Sequence, residues 1–119
     1  YGTGIIVSLA TYHLVVDRFY FRPLDIVAVK GKKQGVLLYE LMGEIDKTPP
    51  ERIDLSKKFT RGFDAYLIMD WETASTIFQE LVQQYPTDSA SQIYLERCLE
   101  LQKNPPGPDW SPLTRLTSK

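Results

Sequence analysis

The stretch Trp71-Glu-Thr-Ala-Ser-Thr-Ile-Phe-Gln-Glu-Leu-Val-Gln-Gln84 carries the clearest helical pattern in this 119-residue sequence. Its apolar residues recur at steps of three and four: Trp71, Ala74, Ile77, Phe78, Leu81 and Val82. That spacing places them on one face of an α-helix, and Asp70 immediately before them is a favourable N-cap. We therefore predict an amphipathic helix over 71–84.

Two further helices are predicted, one on each side of this stretch. The first covers about 56–68 and the second 89–103, with Pro86 separating the second from the central helix, because proline interrupts a helix interior. Their candidate N-caps are Asp54 or Ser56 for the first, and Thr87 or Asp88 for the second. Proline then recurs faster than a helical turn can form, so residues 104–119 are predicted to be a Pro-rich extended tail.

Residues 1–43 differ in composition, because β-branched and aromatic residues dominate them. The run Gly4-Ile-Ile-Val7 is typical of a short strand, and Ser8 can cap a helix that continues to about Val16. We expect three residues of that helix to face inward: Ala10, Leu14 and Val15.

Two longer extended segments follow in the same part of the chain. Residues 19–29 form the first, interrupted by Arg22-Pro23, since proline removes a ladder donor. The sequence Lys30-Gly-Lys-Lys-Gln-Gly35 then favours a hairpin connection, and residues 36–41 form the returning strand. The fold class predicted for the whole chain is α+β.

Composition and charge exclude several classes of protein. The chain is 43% apolar and 24% charged, as in globular proteins, and its formal net charge is −1. Such a balance lacks the electrostatic footprint of a nucleic-acid binder, so no nucleic-acid partner is expected. A single cysteine, Cys98, excludes an intrachain disulfide, and its place on an apolar stripe makes it a core residue. His13 has no Cys, Asp or Glu at metal-ligand spacing, so we expect a surface or partly buried histidine and not a metal ligand.

The helical part resembles a tetratricopeptide repeat when Leu55 occupies the first of its 34 positions. The small, small, aromatic and proline positions of that pattern then fall on Gly62, Ala74, Phe78 and Pro86. The resemblance implies a helical hairpin that closes around Ala74 and Phe78, with residues 89–103 as a capping helix. It also implies a concave surface on the first helix, where Lys58, Arg61 and Tyr66 are candidate partner-binding residues.

The first part resembles the C-terminal end of the catalytic domain of class III nucleotide cyclases, the adenylate and guanylate cyclases. Three blocks occur in the family's order and spacing: Gly4-Ile-Ile-Val-Ser-Leu-Ala-Thr-Tyr12, Phe21-Arg-Pro-Leu-Asp-Ile-Val-Ala-Val-Lys-Gly-Lys32 and Val36-Leu-Leu-Tyr-Glu-Leu41. A helical unit and a tail behind them resemble the C-terminal extension of certain bacterial, especially cyanobacterial, members. The resemblance implies the cytoplasmic portion of a signal-transduction protein with a membrane-tethered sensor.

The resemblance implies specific chemistry for the parent protein. Such an enzyme makes a cyclic nucleotide from ATP or GTP, with adenylate cyclase activity favoured here, at sites formed between two catalytic domains and with Mg²⁺ or Mn²⁺. The family's metal-binding aspartates, base-selecting pair and transition-state asparagine and arginine lie upstream of the matching blocks, so neither a catalytic residue nor a metal ligand is assigned in this chain. The family's phosphate-holding lysine maps onto Lys30, and Lys32 is a second candidate for the triphosphate.

Two hypotheses from different classes follow from these patterns. In the first, the chain is a C-terminal fragment of a cyclase and is not catalytically competent by itself. In the second, it is a protein-interaction or dimerising module that carries a non-catalytic cyclase remnant. The corresponding organisation is a cyclase-like part over 1–43, a linker over 44–54, a tetratricopeptide-like extension over 55–103 and a tail over 104–119.

Overall fold

A computed structural model describes residues 4–28 and 35–115 of the chain. In these residues the elements follow in the order β1 (Ile6–Ser8), α1 (Leu9–Val15), β2 (Phe19–Ala28), β3 (Val36–Glu44), α2 (Pro50–Leu67), α3 (Trp71–Gln84), α4 (Ser89–Lys103) and β4 (Leu113–Arg115). The predicted α+β class is confirmed.

The strands form one sheet in the order β1-β3-β2-β4. β3 pairs antiparallel with both β1 and β2, as expected for a strand that returns from a hairpin. The tail forms β4, which pairs parallel with β2 over residues 26–28. We predicted only an extended tail there, because a parallel pairing between distant segments leaves no local signal in the sequence.

The two C-terminal helices begin and end where their sequence patterns predict. Asp70 caps α3 by accepting a hydrogen bond from the backbone N–H of Thr73 (3.2 Å). Asp88 caps α4 in the same way, from the N–H of Ser91 (3.2 Å). Both caps satisfy amide donors that the first helical turn leaves without a partner.

α2 begins earlier than predicted. Its first residue is Pro50 and its N-cap is Pro49, so Asp54 and Ser56 lie inside the helix and do not cap it. Proline is well suited to the first turn, because the missing N–H has no intrahelical acceptor there. Residues 50–54, which we assigned to a linker, are therefore helical.

α1 presents a different face to the sheet than predicted. Leu14 is 83% exposed and Ala10 is also exposed, so these two inward assignments were wrong. The half-buried side of α1 instead contains Tyr12 and Val15, and the Tyr12 ring stacks on that of Tyr39 at a centroid distance of 4.0 Å. The aromatic contact fixes the rotation of this short helix.

The hydrophobic core lies mainly among the three C-terminal helices. Its buried members are Leu24, Met42, Leu55, Phe59, Phe63, Ala65, Tyr66, Trp71, Ala74, Phe78, Leu81, Ala90, Tyr94 and Cys98. Gly62 lets α3 approach α2 closely, because a Cβ at this position would lie 2.8 Å from the Phe78 ring. Ala74 and Phe78 are fully buried, as the helical-hairpin prediction requires.

Candidate functional site

A buried arginine on β2 joins the sheet to the helices. Arg22 is 1% exposed, and its Nε donates to Glu40 Oε1 on β3 at 2.7 Å. Its two terminal nitrogens donate to the two carboxylate oxygens of Asp88, both at 2.8 Å. A planar guanidinium matches such a bidentate pairing, so Arg22 links β2, β3 and the start of α4 through charge-assisted bonds.

The electrostatics of this cluster favour the charged forms of both main partners. Burial by itself would lower the pKa of Arg22, but the hydrogen bonds and charges of Asp88 and Glu40 outweigh it and raise that pKa. Burial likewise opposes ionisation of Asp88, yet Arg22 and the hydrogen bonds from Ser91 hold the pKa of Asp88 below its usual value. The pair therefore stays ionised around neutral pH.

A second polar cluster lies further along β2. The hydroxyl of Tyr94 on α4 donates to the carbonyl oxygen of Leu24 at 2.8 Å, and it lies 3.2 Å from Asp25 Oδ1. Arg97 pairs with the other oxygen of Asp25 at 3.5 Å and lies over the Tyr94 ring. Burial first, then the charge of Asp25, raises the pKa of the Tyr94 hydroxyl, which keeps it protonated as a hydrogen-bond donor.

A cavity of about 380 Å³ opens beside the first cluster. Its charged lining residues are Arg22, Glu40, Glu51, Arg52 and Asp88. Each of the three Arg22 guanidinium nitrogens already contacts a carboxylate oxygen. The arginine therefore acts as a structural cation, and its interactions leave it poorly placed to bind an incoming anion.

The lysines predicted to hold phosphate lie outside the described residues. Lys30 and Lys32 occupy the sequence between Ala28, where β2 ends, and Val36, where β3 begins. β2 and β3 are antiparallel neighbours, as a hairpin connection through this stretch requires. The assignment of triphosphate binding to these two lysines stays a prediction.

The three candidate partner-binding residues of α2 do not share one open surface. Lys58 pairs with Asp54 (3.1 Å) and donates to Gln84 (3.0 Å), while Arg61 is exposed. Tyr66 is only 5% exposed. Its ring packs edge-on against Trp71, Tyr94 and Trp110. Tyr66 is therefore a core residue in this structure, and the role of Lys58 and Arg61 in binding a partner stays a prediction.

The face shared by α2 and α4 is already occupied by the protein's own sheet. Ser56 of α2 donates to the carbonyl of Phe21 on β2 at 2.8 Å, and Tyr94 of α4 reaches the carbonyl of Leu24. A partner of the helical unit would have to bind elsewhere or displace β2. The hypothesis of an interaction module stays a prediction.

The described residues provide neither a metal site nor a membrane-spanning helix. In residues 4–28 and 35–115 no group of three or more His, Cys, Asp or Glu side chains is arranged to hold a metal ion. None of the helices in these ranges combines the length and apolarity needed to cross a bilayer. His13 is exposed on α1, and Cys98 is fully buried in the core.

The sequence of this chain is similar to that of a known protein. The chain is similar to a Dictyostelium discoideum protein named adenylate cyclase, terminal-differentiation specific, with 29% identity over 104 residues. The chain is distantly related to a cyclase. The match covers 84% of this chain but 5% of the relative, so the chain spans a small part of that protein's length. No family model and no solved structure matches it.

Proposed function

We propose that this chain is the C-terminal part of a class III nucleotide cyclase, in which it completes the catalytic domain and adds a helical extension. The observation that carries this proposal is the similarity to an adenylate cyclase over 84% of the chain. A match of that extent cannot be confined to residues 1–43, so it includes most of the helical part as well. The helices are therefore proposed to be a regular part of such an enzyme.

The arrangement of the elements supports the proposal. The first of the three blocks that resemble the family contains β1 and the start of α1, the second contains most of β2, and the third contains most of β3. These three strands lie side by side in one sheet, with β3 in the middle. The helical extension packs onto β2 through Arg22, Ser56 and Tyr94. Adenylate cyclase activity is proposed ahead of guanylate cyclase activity, because the relative is named for the former.

In the proposed reaction, the ribose 3′ oxygen of the nucleotide attacks the α-phosphorus. A 3′ O–P bond forms, and the bond from the α-phosphorus to the bridging oxygen of the β-phosphate breaks. Pyrophosphate leaves with that bond's electron pair, and the proton of the 3′ hydroxyl passes to solvent. Mg²⁺ or Mn²⁺ in the parent would supply charge stabilisation at the phosphates. The role proposed for this chain is to place the ammonium of Lys30, with Lys32 nearby in sequence, against the terminal phosphates.

Substitution of Lys30 in the whole parent protein tests the proposal. We expect Lys30→Ala to lower kcat/KM for ATP by the equivalent of about 1.5–3 kcal/mol, the contribution of one charge-assisted contact. Lys47→Ala is the matched control, since this lysine is exposed and pairs only with Glu44 among the described residues. Unchanged kcat/KM for Lys30→Ala would reject the assignment.

The 119-residue chain gives a second, independent test. It should show no turnover of ATP or GTP with Mn²⁺, because the family's metal-binding aspartates are not among its matching blocks. Clear cyclase activity from the isolated chain would overthrow the fragment hypothesis.

A further inference from the structure

A second cavity, of about 330 Å³, is lined by residues of α1, β2, β3 and α2. The strands contribute Phe21 and Pro23 from β2 and Leu37 and Tyr39 from β3. Residues two positions apart on a strand lie on one face of the sheet, and Pro23 is in register with Tyr39. The four side chains therefore form one continuous apolar wall.

Three aromatic rings meet at this cavity. Tyr12 of α1 stacks on Tyr39 at a centroid distance of 4.0 Å and meets Phe21 edge-on at 5.1 Å. All three side chains are only half-buried, so part of their surface is open to the cavity. The face of an aromatic ring carries negative partial charge and attracts cations.

The opposite wall is one side of α2. Its members follow helical spacing: Thr60, Phe63, Asp64 and Leu67. The Thr60 hydroxyl is already used, since it donates to the Ser56 carbonyl at 2.8 Å. The Asp64 carboxylate is exposed, and in the described part of the chain it has neither an ion-pair nor a hydrogen-bond partner. The described lining thus combines aromatic surface with a single unpaired negative charge.

We propose that this cavity binds a small organic cation, in which an ammonium group is carried on an aromatic body. The body would lie against the rings of Tyr12, Phe21 and Tyr39, and the ammonium group would face Asp64. A neutral ligand would leave the carboxylate unpaired, and an anion would be repelled by it. The cavity volume lies at the lower end of the range for ligand pockets, which favours a small molecule. The site is independent of the proposed cyclase function.

Binding would connect the exposed corner of the protein to its helices. α1 contains no buried residue, and Tyr12 is its contribution to the cavity. A ligand that touches both Tyr12 and α2 binds only when α1 is in place, so it should stabilise α1 against local opening. Slower amide hydrogen exchange in α1 would report this effect.

The test uses the 119-residue chain and three probes that share a phenyl ring and a short alkyl chain: phenethylammonium, phenethyl alcohol and phenylpropionate. A titration followed by amide NMR shifts should show saturable binding of the cation in the millimolar range, with shifts at Tyr12, Tyr39 and Asp64. We expect the cation to bind about three- to tenfold more tightly than the alcohol and the anion to bind most weakly. The factor is modest because Asp64 is exposed and water screens its charge.

Asp64→Asn removes the charge while keeping the shape of the side chain. Its affinity for phenethylammonium should fall to that of the alcohol, and the helical circular dichroism should stay unchanged. Glu80→Gln is the matched control, because it removes one negative charge from an exposed position on α3 that does not line the cavity. It should leave the affinity unchanged.

A second pair of variants tests the aromatic wall. Tyr12→Leu keeps an apolar side chain but removes the ring, so it should weaken binding of the cation by about three- to tenfold. Leu14→Ala changes an exposed residue of the same helix outside the cavity lining and should have no effect.

The results separate the site from its selectivity. Equal affinities for the cation and the alcohol, or an unchanged affinity in Asp64→Asn, would overturn the assignment to a cation. Shifts that do not saturate, or that saturate only at residues outside the cavity, would overturn the site itself. Tighter binding of the cation that is lost in both Asp64→Asn and Tyr12→Leu would support the proposal.

Discussion

The β1–α1 corner of this protein is richer in apolar residues than the C-terminal helices, yet it buries fewer of them. Phe78, Ala74 and Leu81 on α3 are fully buried, whereas Leu14 on α1 is 83% exposed and Ile5 beside β1 is 60% exposed. Apolar area stabilises a fold only when it is removed from water. The free energy of unfolding is therefore concentrated in α2, α3, α4 and the strand that they cover.

The same comparison explains how a small sheet persists. A sheet of few strands is only marginally stable unless another layer covers it. Here α2 and α4 cover the β2 side, and Leu24 and Met42 join the helical core from the strands. β1 and α1 contain no buried residue, so we expect them to be the less stable part of the chain.

The largest expected effect comes from deleting the aromatic centre of the helices. Phe78→Ala should lower the free energy of unfolding by about 3–5 kcal/mol, because the ring fills the space between α2 and α4. Its neighbours include the Phe59 and Tyr94 rings, at centroid distances of 5.2 and 5.3 Å. Urea denaturation measures the loss. A change below about 1 kcal/mol would mean that the helices are not the main source of stability.

The buried charge cluster should give an effect of nearly the same size. Arg22→Met removes the cation and leaves the carboxylates of Glu40 and Asp88 without it, at a cost of about 3–5 kcal/mol. Lys47→Met breaks an exposed pair with Glu44 and should cost less than about 1 kcal/mol. Equal losses in the two variants would contradict the structural role given to Arg22.

Replacing Arg22 by Met should reverse the sign of the pH dependence that Asp88 contributes to the free energy of unfolding. The pKa of Asp88 is lowered in the folded protein, so its contribution is present above the ordinary value of 3.8 and is lost as the pH falls below about 4. In Arg22→Met, burial dominates and raises that pKa, so protonation of Asp88 then favours folding. Urea titrations from pH 7 to pH 3 measure the free energy of unfolding in both proteins. Protonation of Asp88 should lower it in the wild type and raise it in Arg22→Met. Asp88→Asn should remove this difference between the two backgrounds.

The smallest effect is expected at the exposed corner. Leu14→Ala should change the free energy of unfolding by less than about 0.5 kcal/mol, because the side chain is largely in water already. Amide hydrogen exchange should show β1 and α1 opening at a lower free energy than α3. Protection in α1 equal to that in α3 would remove the contrast between the two regions.

The sequence predicted those parts of the fold that depend on local signals. α3 and α4 were predicted with their correct bounds, since apolar spacing and the capping residues Asp70 and Asp88 lie within a few positions of each helix start. The start of α2 was placed too late, because Pro49-Pro50 was interpreted as a linker. The rotation of α1 depends on stacking of Tyr12 on Tyr39, which periodicity does not show.

The contacts between the two halves could not be predicted from local patterns. Arg22 and Asp88 are 66 positions apart, and Tyr94 and Leu24 are 70 apart. A charged residue at an inward strand position was the available signal for Arg22, yet we interpreted Arg22-Pro23 only as an interruption of the strand. Lys30 and Lys32 were found through the family's motif, and their role stays a prediction.

The buried thiol of Cys98 can report how often α4 separates from the core. It is the sole cysteine of the sequence, its side chain is fully buried, and burial raises the pKa of its thiol to about 12. Alkylating reagents attack the thiolate, so at neutral pH they must wait until α4 separates from the core. The rate at which the Cys98 thiol is modified in the folded protein, divided by the rate in the unfolded chain, gives the fraction of time that α4 is separated from the core.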